Sequence, residues 1–463
     1  MSTHTATLLE RRVYRASGRL RLLSEHGSDL AVQLERAADL PLREYLRSLV
    51  PGPEAWPNVH RMRLVRAVEG YLVRHGDHDV DAVCDHLLHT PVIQQADHSN
   101  LLLDHETFLN NYLFHLASRE AGVRVAVTNQ CSTVSCLARR TPVLGPTFLR
   151  SRASLYSVLP MSKTALKNSS FCGIPGPVTM TFDFMEGNHP DVATDPVFAR
   201  LAGHTAPDGP TAYRQANDMI WRDLAVDHGV RRVSIDESVV SECVALHLAD
   251  PDGPVYRLLF DPQVRDAFLR AKRRLVADPS NLTVNRAAPD FVWLRKGPRL
   301  HQVELVGTGP DAQWIVETNG APLPVPFEPA AVIEALRTGV LYADRVLAYL
   351  VRCLLPGVVA VGGTSQQDYV RLYRRMLVEA HEEVPFLSQA DLNRVRRPDL
   401  SVVGGRPLLE LTGEAFDYVR HLGPATRLSE LEETYLDRPV GETIGDLRCA
   451  AYLERSLPTP PLT

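Results

Sequence analysis

The segment Gln94-Gln95-Ala96-Asp97-His98-Ser99-Asn100 gathers hydrogen-bonding side chains directly behind a short apolar run, Val92-Ile93. An imidazole titrates near neutral pH, so His98 can donate to a phosphate or act as acid or base at a reacting atom. Asp97 and Asn100 stand where they can orient that group, and Gln95 and Ser99 where they can reach a substrate. The plain alternative is a loop whose polar side chains satisfy their own turn amides. A second candidate, Gly362-Gly363-Thr364, offers backbone amides without side-chain obstruction, which suits close approach of a phosphate or carboxylate. It lacks the full phosphate-loop or dinucleotide fingerprint, and a tight turn explains it equally well.

Other groups carry weaker signals. Glu317 and Asn319 follow the apolar Trp314-Ile315-Val316 and can reach a ligand, although Asn319-Gly320 also reads as a turn. His86, His89, His98 and His105, with Cys131 and Cys136, invite a zinc reading, but no paired CxxC and no HExxH is present, so no metal is assigned. There is no G-x-S-x-G elbow. Met161-Ser162-Lys163 is similar to the lysine-bearing loop of class I nucleotidyl-transfer enzymes, where an ammonium stabilises charge on a triphosphate; a solvated loop is the simpler reading.

The elements that must position these residues follow from pattern. Pro91 to Gln95 reads as a strand, Asp104 as the cap of a helix carrying Leu109, Leu113 and Leu116, and Gly122 as its end. Val123 to Val127 is rich in β-branched residues, so strand, loop, helix and strand follow one another over about 35 residues, the size of a βαβ unit. Val358 to Val361 repeats the theme: the Gly-Gly loop follows, and Ser365 with Asp368 fits a capping box for a helix reaching Glu379. In a parallel sheet both loops lie at the carboxyl edge, where ligands bind. The expectation is therefore that residues 97 to 100 and 362 to 363 converge.

Around these units the chain divides into three. Residues 1–90 form a helical N-terminal layer with an apolar stripe (Leu46, Leu64, Val68, Tyr71, Leu72), broken at Pro51, Pro53 and Pro57. Residues 91–380 form an α/β, Rossmann-like parallel-sheet core with a mixed α+β middle insertion around 141–330. That insertion includes helices over 212–227 and 260–276, a strand at 233–235, and antiparallel strands over 291–306 and 313–317. Residues 381–463 form a C-terminal helical segment ending in a Pro-rich, mobile tail.

Composition excludes several classes. The 463 residues are 44% hydrophobic and 23% charged, as in globular enzymes, and a net charge of -5 gathers neither nucleic-acid phosphates nor an anionic membrane. The apolar run Val346 to Leu355 is interrupted by Arg352, well short of the roughly 20 residues that span a bilayer. Seven cysteines without a regular framework, and no secretory leader, point to reduced thiols in a cytoplasmic protein that acts on a small molecule.

The runs Val92 to Phe114 and Leu355 to Tyr369 together resemble the bacillithiol-synthesis cysteine ligase family, in which a polar loop after an early strand and a late Gly-Gly loop followed by a tyrosine form the ligand site. The resemblance covers about a tenth of the chain. It implies a Rossmann core, with Asp97, His98 and Asn100 in the first ligand loop and Gly362, Gly363 and Tyr369 in the second. The family's Thr-Gly-Gln-Gln loop is replaced by Ala-Asp-His-Ser, its helix lysine corresponds to Asn111, and no coiled-coil insertion is evident. The implied activity is a ligase or transferase joining an amino acid, cysteine in the family, to an amine or other small acceptor, with ATP or ADP as candidate nucleotide. Two alternatives stand beside it: adenylyl transfer with His98 and Lys163 flanking ATP, and a non-catalytic protein that binds a nucleotide or other small ligand.

Overall fold

A computed structural model describes residues 29–53, 57–97, 99–131, 145–151, 154–160, 170–174, 176–188, 196–224, 229–278, 281, 289–307, 312–317, 320–364, 366–409 and 424–444. Within them the chain is a mixed α/β protein built on a five-stranded parallel sheet. Four helices come first: α1 (Asp29–Arg36), α2 (Leu42–Ser48), α3 (Val59–Arg74) and α4 (Val80–His89). The sheet is then laid down by β1 (Val92–Asp97), β2 (Val125–Gln130) and β3 (Arg231–Asp236) on one side of β1, and by β8 (Val359–Gly362) and β9 (Ser401–Val403) on the other. The spatial order is β9-β8-β1-β2-β3, every neighbouring pair parallel. A second, antiparallel sheet comprises β4 (Val292–Lys296), β5 (Arg299–Val306), β6 (Gln313–Val316) and β7 (Leu341–Ala343), with Ala321–Pro322 at its margin.

The order reverses at β1. The connection from β1 to β2 carries α5 (His105–Glu120), and the one from β8 to β9 carries α9 (Gln366–Glu383) and α10 (Gln389–Arg396). Right-handed crossovers running in opposite directions from β1 place α5 and α9 on opposite faces of the sheet. This is the doubly wound arrangement, and it leaves a crevice where β1 and β8 part. β2 is buried along its whole length, as a parallel strand covered on both faces should be. α5 is buried almost all round: α2 packs on its outer side and the sheet on its inner side. Asp104 starts α5 by accepting from Thr107 N at 2.9 Å, and Gly122, at φ 71°, closes it.

The N-terminal helices straddle both layers, with α1 against α9 and α3 against α7 (Glu237–Leu248). They also blunt the sheet edge. Tyr45 donates to Val403 O at 2.8 Å, and Val403 N donates to Gln33 Oε1 at 3.2 Å, so the open rim of β9 is taken up by side chains.

Two sequence boundaries shift. Arg231–Asp236 is a core strand paired with β2, so the chain leaves the parallel sheet twice, over residues 131–230 and 237–358, and not once over 141–330. The first excursion contains α6 (Gly209–Asp223), and the second contains α8 (Pro262–Ala277) and the antiparallel sheet. Ser401–Val403, in the segment expected to be helical, is the last parallel strand. The Pro-rich tail lies outside the described residues. No helix of the described residues is long and apolar enough to cross a membrane.

Candidate functional site

Register fixes what meets at the crevice. Val92, Ile93 and Gln94 pair with Val359, Ala360 and Val361, so Gln95 comes beside Gly362, and the two following loops leave neighbouring strands on the same edge. The first loop is held firmly. Ser99 is fully buried at φ 61°, a conformation that costs a non-glycine residue energy and persists only where its surroundings impose it. Asn217 of α6 clamps the loop: its Nδ2 donates to Asn100 O at 3.0 Å, and its Oδ1 accepts from Leu102 N at 2.8 Å. His98, Lys163, Asn319 and Ser365 lie outside the described residues, as does the side chain of Asp97.

The second loop differs from the anion cradle expected of it. A Cβ on Gly362 would lie 1.8 Å from Gln366 Oε1, because Gln366 folds back to donate to Ala360 O at 2.8 Å and to Ser401 Oγ at 3.1 Å. Gly362 is thus a packing glycine, its space already filled by protein. A Cβ on Gly363 would meet only Glu106 Oε1, at 4.0 Å, and Glu106 pairs with Arg406 at 3.5 Å. Thr364 is half-buried. A carboxylate therefore faces this loop, and another, Asp104, already occupies the start of α5.

Asn111 is also committed elsewhere: its Nδ2 donates to Thr107 O at 2.9 Å and its Oδ1 accepts from Arg232 Nε at 2.9 Å, which ties α5 to β3. The substrate contact expected of it gives way to a structural one. Glu317 is exposed at the end of β6, in the other sheet, with its amide donating to Gln302 O at 3.1 Å. Among the described residues no group of three or more His, Cys, Asp or Glu side chains is arranged to hold a metal.

Gln95 and Tyr369 lead to a cluster that the sequence pattern does not announce. Gln95 Nε2 donates to Cys353 Sγ at 3.1 Å, and its Oε1 accepts from the Arg352 guanidinium. Arg352 sits on a π-helical turn, Leu350–Leu354, and is 5% exposed. Burial works against its charge, and of the groups that chiefly oppose burial only Glu237 is a carboxylate, the others being the Cys131 and Cys353 thiols and the Tyr349 phenol. Tyr369, which packs against Tyr349 and Tyr373, feels the same guanidinium, and burial pushes its phenol pKa up so that it stays a protonated donor. Cys131, just past β2, donates to Gln95 O at 3.4 Å and accepts from Asn129 Nδ2 at 3.2 Å.

Several polar atoms here have no hydrogen-bond partner among the described residues. They are both amide atoms of Gln94 and of Gln130, each residue 1% exposed, together with Asn129 Oδ1 and Arg352 Nε. Alternation along the strands puts Gln94 and Gln130 on the α5 face and Gln95 and Asn129 on the other. An unmade buried hydrogen bond costs about 1–3 kcal/mol, so a group of them on adjacent strands is a substantial expense unless something else completes them. The usable signals in the sequence are a charge inside an otherwise apolar run, Arg352, and the polar triplet Asn129-Gln130-Cys131 closing a β-rich segment. No protein-family model matches the chain, and no curated protein matches it.

Proposed function

We propose that the chain is a Rossmann-like enzyme of the ligase or transferase type that binds an amino acid at the carboxyl edge of the parallel sheet. The observation that carries this reading is the coincidence of two features: the carboxyl edge at the switch point beside β1, and the buried Asn129 Oδ1 and Arg352 Nε, which have no hydrogen-bond partner among the described residues and lie on the Gln95 face of the sheet. A carboxamide oxygen complements an ammonium, and N–H donors complement a carboxylate. The neutral Tyr369 phenol adds a donor on the same face. By its place in the chain directly after β1, His98 is the acid or base, and Asp97 and Asn100 orient it. The layout shared with the bacillithiol-synthesis cysteine ligases, a polar loop after one strand and a Gly-Gly loop with a tyrosine after another, supports the amino-acid reading.

The test is calorimetric titration of the full chain with the twenty amino acids, followed by a search for conversion of any that bind in the presence of amine acceptors. Binding of at least one is expected, weakened tenfold or more in Asn129→Leu. His98→Ala should preserve that affinity and abolish conversion. Absence of binding by every member would overturn the reading.

A further inference from the structure

Arg352 differs from the other buried cations among the described residues in how its charge is met. Arg61 donates to the carbonyls of Pro356, Leu88 and Gly357. Arg265 donates to Leu259 O and stacks over Phe327, and although its Nε also has no hydrogen-bond partner among the described residues, that nitrogen lies 3.7 Å from the Asp266 carboxylate. Lys272 pairs with Asp290 at 2.9 Å. Arg352 has a neutral amide oxygen from Gln95 and the Cys353 thiol, no carboxylate at ion-pair distance, and an Nε with no hydrogen-bond partner among the described residues. A buried cation left in that condition is strongly unfavourable unless an anion completes it. The turn that bears it reaches the Gln95 face of the sheet, close enough to Cys131 and Tyr369 for their fields to act on one another.

We propose that Arg352 is the recognition group for a carboxylate of the ligand, seated on the Gln95 and Asn129 face of the carboxyl edge beside Cys131, with the Tyr369 hydroxyl as a further donor. This rests on the amino-acid reading above and says which end of the substrate is held, and by what. The planar guanidinium edge matches a carboxylate through paired N–H groups. A phosphate dianion fits less well: it concentrates two charges on the one group that the guanidinium must balance, where each carboxylate carries one, and Glu237 contributes a negative field of its own.

The experiment uses the full chain and thermal unfolding with glycine, glycinamide, succinate and inorganic phosphate as probes, against sodium chloride at matched ionic strength. Glycine or succinate should raise Tm saturably, by about 3 °C at a hundredfold excess over Kd, and glycinamide should not. Arg352→Met should abolish the response, with a probe-free Tm lowered by no more than the loss of the one hydrogen bond to Gln95 accounts for, about 1–3 °C. Arg352→Lys keeps the charge without the fork and should raise the midpoint concentration about tenfold. An unchanged midpoint in Arg352→Lys, an undiminished response in Arg352→Met, or stabilisation by phosphate alone would overturn the proposal. If an amino acid found by calorimetry still binds Arg352→Met with full affinity, the carboxylate subsite falls and the amino-acid reading stands. If succinate responds through Arg352 but no amino acid binds, the subsite stands and the amino-acid reading falls.

Discussion

Two places on the parallel sheet treat buried polar groups in opposite ways: the carbonyls at the entry to β8, and the amides on β1 and β2. At the amino edge, Arg61 of α3 reaches over the entry to β8, donating to Pro356 O at 3.1 Å and to Leu88 O at 3.0 Å, while Asn58 Nδ2 donates to Pro356 O at 3.0 Å. Val359 N then donates to Pro91 O at 2.8 Å, so the starts of β8 and β1 are sewn together. Toward the carboxyl edge, Gln94, Asn129, Gln130 and Arg352 keep atoms that nothing in the described protein completes. One short connection into β8 thus holds both extremes: Gly357, whose carbonyl accepts from Arg61, and Arg352, whose own guanidinium is left incomplete. The first arrangement is what stability requires; the second is completed by a ligand or by ordered water.

The sharpest way to break that contrast is to neutralise both arginines. Arg61→Met removes the donor to Leu88 O and Gly357 O and leaves Pro356 O with Asn58 alone, and should cost about 3–5 kcal/mol in urea unfolding, whereas Arg352→Met orphans only Gln95 Oε1 and, with a buried charge removed, should cost under about 2 kcal/mol. Similar losses from both would erase the distinction.

The next largest effect is in pH. Burial lowers the His86 pKa from 6.5 to about 4, and burial with the field of His60 lowers that of His247 well below its usual value. Both histidines are held neutral in the folded state, so their contribution is complete above pH 6.5 and drains away as the pH falls toward 4. For His86 alone the loss approaches about 3 kcal/mol, and His86→Leu should flatten the stability profile over that window. A profile unaltered by the substitution would contradict the assignment.

Smaller effects sharpen the reading of the two loops. Gly362→Ala must displace Gln366 from Ala360 O and Ser401, and should cost about 1–3 kcal/mol. Asn217→Ala should cost about 1–2 kcal/mol and speed amide exchange at Leu102. Gly363→Ala meets only open space and Glu106, so a change under about 0.5 kcal/mol is expected from equilibrium unfolding.

What can be read from the sequence divides along physical lines. The β1 and β8 strand-loop-helix units are legible because cap and apolar run are local: Asp104 before the Leu109, Leu113 and Leu116 stripe, and Val359–Gly362 before a long helix. The antiparallel strands over 292–306 and 313–316 are legible for the same reason. Ser401–Val403 is not, since three residues carry no period and their place depends on pairing with β8. Arg352 reads only as an interruption in an apolar run, because burial of a charge is decided by tertiary neighbours such as Gln95, 257 positions away. Gly362 misleads for a related reason: the atom that needs its missing side chain belongs to Gln366, and only the folded-back rotamer shows it.

The most direct test of the shared crevice is hydrogen–deuterium exchange on the intact chain with and without saturating succinate. The expected result is slowed exchange in two peptides at once, one spanning residues 94–104 and one spanning 347–357, with the hairpin that carries Glu317 unchanged. Protection confined to that hairpin, or to only one of the two peptides, would contradict a site formed where β1 and β8 diverge.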